Sequence, residues 1–312
     1  MTVLLSDVLI GIFSTTLRLS PLYLFAGLGE IVTEKSGVAN MGIEGIMLMS
    51  LFTTYAVDLT TGNPWLAILA ALGVAGLIGV IFALLAVQMR LDQIVVGLAI
   101  YLSGLGLSFV LFNTFAGTRA LPAFVNIPNV HIPYLSDIPV VGQILFQQNI
   151  LVYFALALVV LVSYFLGRTS LGLRVRAVGE NPKAADNMGV NVLKVRFLAV
   201  IFGAVLAGLA GAYFNVGFLQ NFQFDIISGR GFIALAMIYF ANWGPYKTLF
   251  AALSFNIVYA TQSEFVSIAS TAIAGSSQLF NMLPYVFLLA LIPILGRKAR
   301  PPKYLLKPYK KG

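Results

Sequence analysis

Apolar residues run along this chain in nine stretches separated by short polar breaks: 7–29, 38–57, 64–87, 93–115, 147–167, 197–218, 229–243, 246–265 and 278–296. A helix needs about 20 predominantly apolar residues to cross the hydrocarbon of a bilayer. The pattern therefore predicts an all-α, polytopic membrane bundle of about nine transmembrane helices, within a range of eight to ten. Residues 1–312 form one transmembrane domain on this reading. The seventh stretch is short for a straight crossing, so it is either tilted or joined to the eighth as a bent pair. The first carries Arg18 and Pro21 and could be broken there, since an internal proline removes a helix hydrogen bond.

The polar breaks are unequal. The most basic is Arg168 to Arg196, with six basic residues: Arg168, Arg174, Arg176, Lys183, Lys194 and Arg196. It contains a short helix with its own punctuation. Asn181 suits the N-cap, Pro182 the first helical position, and Gly189 the left-handed stop. The six residues between, Lys183 to Met188, give about 10 Å of helix, a length that is marginal in water by itself. Local physics allows two readings: an ordinary surface turn, or a helix held by something outside the chain. A second long break, 116–146, has prolines at 122, 128, 133 and 139, which exclude a regular helix. Its apolar residues predict a loop packed on the mouth of the bundle, and His131 reads as a loop histidine rather than a ligand.

Composition agrees with a membrane protein. Hydrophobic residues make up 59% of the chain and charged residues 10%, against about a quarter charged in soluble domains. Mean hydropathy is +0.93. The first seventeen residues have no basic segment and no clear small-residue cleavage site, so a cleavable signal peptide is not expected. There is no cysteine and a single histidine, so disulfides, thiolate metal sites and imidazole chemistry are not expected, nor is a cofactor. The net charge of +8 would suggest nucleic acid in a soluble protein. Here it sorts by topology instead. With 168–196 placed in the cytoplasm and the spans alternating, Lys35, Arg90, the six loop residues, Lys247 and seven tail residues from Arg297 to Lys311 fall inside. That is 16 of the 19 basic residues. Only Arg18, Arg119 and Arg230 lie elsewhere, and the positive-inside rule selects this orientation. Nine spans then put the N-terminus outside. The tail, 297–312, reads as an electrostatic anchor to anionic inner-leaflet lipid. Turns at Asn63-Pro64-Trp65 and Gly244-Pro245-Tyr246 fall on opposite sides, as inverted repeats would place them.

Candidate chemistry is sparse. No phosphate-binding loop occurs; Gly244-Pro-Tyr-Lys247-Thr248 has the Lys-Thr pair but not the preceding glycines. Nor is there a catalytic cluster for an intramembrane hydrolase. Residues 36–48, SGVANMGIEGIML, place glycines at 37, 42 and 45 where a span should begin. They predict irregular or broken helix there and close approach of a neighbouring helix. Asn40 and Glu44, four apart, would share a face. Glu44 falls at hydrocarbon depth, where a carboxylate is costly. It either lines a polar path or bridges helices as a structural hydrogen-bonding group. Gln220, Gln223, Asp225 and Arg230, the last flanked by Gly229 and Gly231, mark either a solute-facing mouth or an interfacial loop. Asn215, Tyr239, Asn242, Asn256, Tyr259 and Gln262 add amides and phenols suited to a polar planar solute. Asn40, Glu44, Asn215, Tyr239 and Asn256 are the candidate path residues.

The run Arg174-Val-Arg-Ala-Val-Gly-Glu-Asn-Pro-Lys-Ala-Ala-Asp-Asn-Met-Gly189 resembles the cytoplasmic coupling segment of bacterial ABC importer permeases of the branched-chain amino acid and simple-sugar type. Gly37-Val-Ala-Asn40-Met-Gly42-Ile-Glu44-Gly45 and Gly229-Arg-Gly-Phe-Ile-Ala-Leu-Ala236, followed by Trp243-Gly-Pro245, are similar to the nucleoside-importing branch. The likeness covers most of 25–265. It implies that the short helix docks in an ATP-binding-cassette ATPase subunit and transmits its closure. Glu180, Asn181, Pro182, Lys183, Ala184, Ala185, Asp186, Met188 and Gly189 would form the coupling site, with Glu180, Lys183 and Asp186 as polar contacts. It also implies a second permease chain, more often a different one than a copy, and an external solute-binding lipoprotein. The chain itself would be no enzyme, and nucleic acid would be no partner. Its solute would be a nucleoside, with a sugar, a flavin or a branched-chain amino acid as alternatives. Two other classes remain open: an ion-coupled transporter using Glu44, and a scaffold whose basic loop recruits a soluble protein.

Overall fold

The computed structural model describes residues 5–116, 125–219, 226–269, 280, 282–295 and 299–310. These residues form helices α1 (Leu5–Lys35), α2 (Ile43–Thr61), α3 (Pro64–Ala83), α4 (Gln93–Ala116), α5 (Val141–Leu145), α6 (Ile150–Arg168), α7 (Ser170–Glu180), α8 (Pro182–Asn187), α9 (Val192–Tyr213), α10 (Arg230–Phe240), α11 (Pro245–Ala269) and α12 (Leu283–Leu295). Single π-helical turns extend α3 through Leu84–Gln88 and α9 through Phe214–Leu219. No strand occurs among the described residues; one isolated bridge joins Asn129 and Asn149.

Among the described residues, five helices are long and apolar enough to cross a membrane: Asp7–Lys35, Pro64–Gln88, Gln93–Phe115, Ile150–Arg168 and Val192–Leu219. The other four expected spans correspond to α2, α10, α11 and α12. Of these, α2 carries Glu44, Asp58 and many hydroxyls, α11 carries Lys247 and Glu264, and α10 and α12 have 11 and 13 residues. Eleven residues rise only about 16 Å, half of a bilayer core. The bent-pair reading fits here, since α10 turns through residues 241–244 directly into α11.

α1 is the hub. It packs against α6, α9, α10 and α11, and Leu22, Leu24, Phe25 and Leu28 are fully buried. It is not broken at Pro21. Pro21 leaves Leu17 O without its helix donor, and the carbonyls on either side of it take side-chain donors from neighbours: the Tyr213 hydroxyl donates to Arg18 O, and Asn256 Nδ2 to Thr16 O at 3.4 Å. Around this hub the usual distribution is inverted. Leu69, Leu77, Val95 and Leu102 are more than 60% exposed on α3 and α4, while Glu30, Glu34, Asn40, Glu44 and Asn256 are buried. Apolar side chains facing outward suit lipid, and polar ones facing inward suit a bundle interior.

The glycines at the start of α2 do what their spacing implies. A Cβ on Gly45 would lie 2.6 Å from Ile100 O, and one on Gly104 would lie 2.6 Å from Gly45 O. Only paired glycines allow α2 and α4 to cross backbone to backbone there. Of the described part of the loop after α4, Ile127, Ser136 and Gly142 are buried, whereas Tyr134, Leu135, Ile138, Val140, Val141 and Leu145 are exposed, so its apolar residues are packed less than their pattern suggests. Asp58 accepts from Val125 N–H at 3.1 Å, and Gln148 Nε2 reaches Ser14 Oγ at 3.2 Å. His131 stands 3.6 Å from Asp137 with both side chains mostly in solvent. The bundle therefore has two poles. This loop and the start of α1 occupy one, and the end of α1, α7, α8 and the basic tail occupy the other.

Candidate functional site

At the basic pole the predicted short helix is present. The Asn181 side chain accepts from Ala184 N–H at 3.1 Å, Pro182 opens α8, and Gly189 ends it at φ +82°. Gly189 N–H returns to Asp186 O at 2.9 Å and Val190 N–H to Ala185 O at 3.0 Å. Every element of the punctuation is therefore used. Pro182 and Ala185 point inward; Glu180, Asn181, Lys183, Ala184, Met188 and Gly189 face outward. Met188 is 84% exposed.

The helix is seated on a rigid base. Val178 of α7, Ala185 of α8, Val192 of α9 and Tyr309 of the tail form a small buried cluster beneath it. The tail differs from expectation. It was read as an anchor to lipid alone, yet residues 299–310 fold back as a strap. Arg300 N–H donates to Asn242 Oδ1 at 2.8 Å, and Tyr304 N–H to Gly179 O at 2.9 Å. Arg196 ties the strap to the break after α1, donating through Nη1 to Lys307 O (2.9 Å) and through Nε to Ser36 O (3.1 Å). Burial, with the Asp186 carboxylate beside it, raises the Tyr309 phenol above its ordinary value. Of the three expected polar contacts, Glu180 and Lys183 face outward while Asp186 is turned toward the strap. Lys303, Lys307 and Lys310 remain exposed on its outer side.

A second set of polar groups lies inside the bundle. Residues 36–42 are non-helical, as the glycines predicted, and α2 starts only at Ile43. Asn40 and Glu44 therefore do not share a helical face. Asn40 N–H donates to Glu30 Oε1 at 2.7 Å, and its side chain accepts from Gly42 N–H at 3.0 Å. Glu44 reaches the start of α10 instead. Its two carboxylate oxygens accept from Gly229 N–H (2.7 Å) and Gly231 N–H (2.6 Å). A carboxylate at a helix N-terminus satisfies orphan donors and meets the positive end of the helix dipole. Glycine at 231 is required, because a Cβ there would fall 2.6 Å from Glu44 Oε2. The structural reading of Glu44 has the better support.

Between these glycines Arg230 turns away from Glu44. Its guanidinium lies 5.1 Å from the Phe214 ring centre and 5.6 Å from that of Tyr259. It donates to Tyr259 Oη at 3.2 Å and to the Ile226 and Ile227 carbonyls at 3.0 Å. Asn215 sits in the π-helical turn beside Phe214, fully buried, with neither amide atom partnered among the described residues. Asn256 donates to Ser20 Oγ at 3.3 Å, but its Oδ1 is likewise unpartnered. Unsatisfied buried amides call for an explanation, and π-bulges concentrate at functional sites. Tyr239 lies farther toward the basic pole, edge-on to Trp243 at 4.9 Å, and Trp243 Nε1 donates to Glu34. Gln220, Gln223 and Asp225 lie outside the described residues.

Two features escaped the sequence reading. Glu30 and Glu34, one turn apart and just past the first apolar stretch, are both buried against 36–42 and Trp243. The signal was their spacing next to the glycine-rich break. The strap was masked by its lysines.

The family of branched-chain amino acid transport system permease components matches residues 12–292. The chain belongs to that family. It is 37% identical to the guanosine ABC transporter permease protein NupQ of Bacillus subtilis over 96% of each chain. It is 33% identical to the nucleoside ABC transporter permease protein NupC of Lactococcus lactis over 90% of each. A putative glucose ABC transporter permease, TsgC13 of Haloferax volcanii, is 35% identical over 88% of this chain and 84% of its own. No solved structure matches. The permease is thus an integral membrane protein, in keeping with its apolar helices.

Proposed function

We propose that this permease forms the membrane path of an ATP-driven nucleoside importer and is driven through residues 180–189 by an ATPase subunit. The observation that carries the coupling role is the capped α8, presented outward at Lys183, Ala184 and Met188 while its inner side is clamped to α7, α9 and the strap. A helix so short, fixed on one side only, suits a rigid lever whose second face is covered by a partner. The chain's own catalytic role is nil; ATP is hydrolysed elsewhere, and only a partner that distinguishes inward- and outward-open states can shift between them.

On this reading α1, α2, α3, α4, α6, α9, the short α10, α11 and α12 make nine crossings, with the N-terminus outside and the basic pole in the cytoplasm. The Asn63 and Gly244-Pro245 turns, at opposite poles, are consistent with inverted repeats. The path follows the unpartnered amides of Asn215 and Asn256 and the aromatic-flanked Arg230. A second, different permease chain completes it, and an external binding protein delivers solute. The nucleoside assignment rests on the guanosine and nucleoside permeases among the relatives. The glucose permease relative supports a sugar as the second reading.

Loss of this chain from its native cell should abolish uptake of labelled guanosine or cytidine. In the intact cell that uptake should persist when ion gradients are collapsed with ATP maintained. Loss of glucose uptake instead would select the sugar reading. Nucleoside uptake that stops with the ion gradient would refute ATP coupling.

A further inference from the structure

Beside the coupling segment, α6, α7 and α9 enclose an open groove of about 950 Å³. Leu161 and Phe165 of α6 and Leu198 and Phe202 of α9 form its apolar walls, and Arg174 of α7 and Lys194 of α9 line it as well. Leu161, Leu198 and Phe202 are 56%, 55% and 41% exposed. No ion pair among the described residues holds either cation. From Lys194 to Phe202 the wall runs about 12 Å along α9, away from the basic pole and into the apolar spans.

The groove is thus amphipathic in one direction: two uncompensated cations at the level of the basic pole, then apolar wall into the hydrocarbon. Basic pockets between membrane helices on the cytoplasmic side recognise anionic lipid headgroups. We propose that this groove holds an anionic phospholipid of the cytoplasmic leaflet. Its phosphate lies by Arg174 and Lys194, and its acyl chains lie along Leu161, Phe165, Leu198 and Phe202. Such a lipid supplies both complements at once. A protein helix filling the apolar walls would cover two cations and would have to bring its own carboxylates. Because α7 leads through Asn181 into α8, a lipid bridging α7 and α9 braces the base on which the coupling helix stands. Placement in the cytoplasmic leaflet rests on the orientation proposed above.

The test is electron spin resonance of the complex purified through this chain, reconstituted in phosphatidylcholine vesicles. A trace of chain-labelled phosphatidylglycerol or phosphatidylcholine, present in both leaflets, reports the motionally restricted lipid. The phosphatidylglycerol probe should be preferred on the order of ten-fold at one site per chain. Arg174→Gln with Lys194→Gln should reduce it to the phosphatidylcholine level. Leu198→Trp, which fills the groove but keeps both cations, should also remove it, at unchanged melting temperature. Equal restriction of the two probes, or a preference surviving both variants, would overturn the proposal. The chain has no cysteine, so a single Leu161→Cys variant reports the competing occupant. Crosslinking of Cys at this position to the second permease chain, without any lipid preference, would assign the groove to a protein interface.

Discussion

Replacing Lys183 and Ala184 with glycine should cut nucleoside uptake by an order of magnitude or more while leaving the amount and melting temperature of the permease nearly unchanged. Each glycine costs a helix about 1 kcal/mol, and two of them weaken a six-residue helix that is marginal to begin with. Roughly 2 kcal/mol is about a thirty-fold change in its population. Both side chains face outward, so no buried contact is lost with them. The bundle, held by α1, α2, α9 and α11, is untouched. The effect should therefore appear as uncoupling: solute still reaches the complex, but ATP hydrolysis no longer responds. Uptake at the parent level, measured with labelled nucleoside in cells carrying equal amounts of protein, would remove α8 from the mechanism.

Glu44→Ala should act in the opposite way, on folding first and transport as a consequence. The substitution strips two N–H groups of their acceptors, a part-buried one on Gly229 and a buried one on Gly231. Each stranded donor costs about 1–3 kcal/mol, and the N-terminus of α10 also loses a compensating negative charge. Yield and thermal stability in detergent should both fall sharply. Glu44→Gln keeps one acceptor oxygen but turns an amide donor toward the second N–H, so it should fall between the parent and the alanine variant. This ordering separates the two roles of the carboxylate. A group that carried ions would leave Glu44→Gln fully stable while its transport lost ion dependence, and that outcome would restore the ion-coupled reading.

Much of this was legible along the chain, for identifiable reasons. Where capping residues act locally, as at Asn181, Pro182 and Gly189, the backbone geometry follows from a handful of neighbours and appears in the structure as read. The apolar runs located the five long spans for the same reason, since hydropathy is a property of the segment itself. Features set by distant neighbours were less visible. α1 passes through Pro21 unbroken, packed against α9 and α11, whose Tyr213 and Asn256, nearly 200 residues or more away, donate to carbonyls of the preceding turn. The break at 36–42 was expected from its glycines, but the start of α2 at Ile43 was not, and that shift sends Asn40 to Glu30 and Glu44 to α10. The strap shows the limit most clearly. Its lysines gave it the look of a lipid-bound tail, whereas its course is decided by backbone donors and by Arg196. For the path, types of residue were readable but not their assembly: of the five candidates, Asn215 and Asn256 retain unpartnered amides, while Asn40, Glu44 and Tyr239 are placed against groups of the bundle itself.

On the proposed function, this chain passes nucleosides under the control of an ATPase docked at α8. The most direct test is ATP hydrolysis by the complex purified through this chain, with the solute-binding protein present, across a panel of nucleosides, sugars and amino acids. A co-purifying ATPase is expected, stimulated most by nucleoside-loaded binding protein and losing that stimulation in the Lys183→Gly/Ala184→Gly variant. A complex without an ATPase, or one stimulated equally in that variant, would contradict that function.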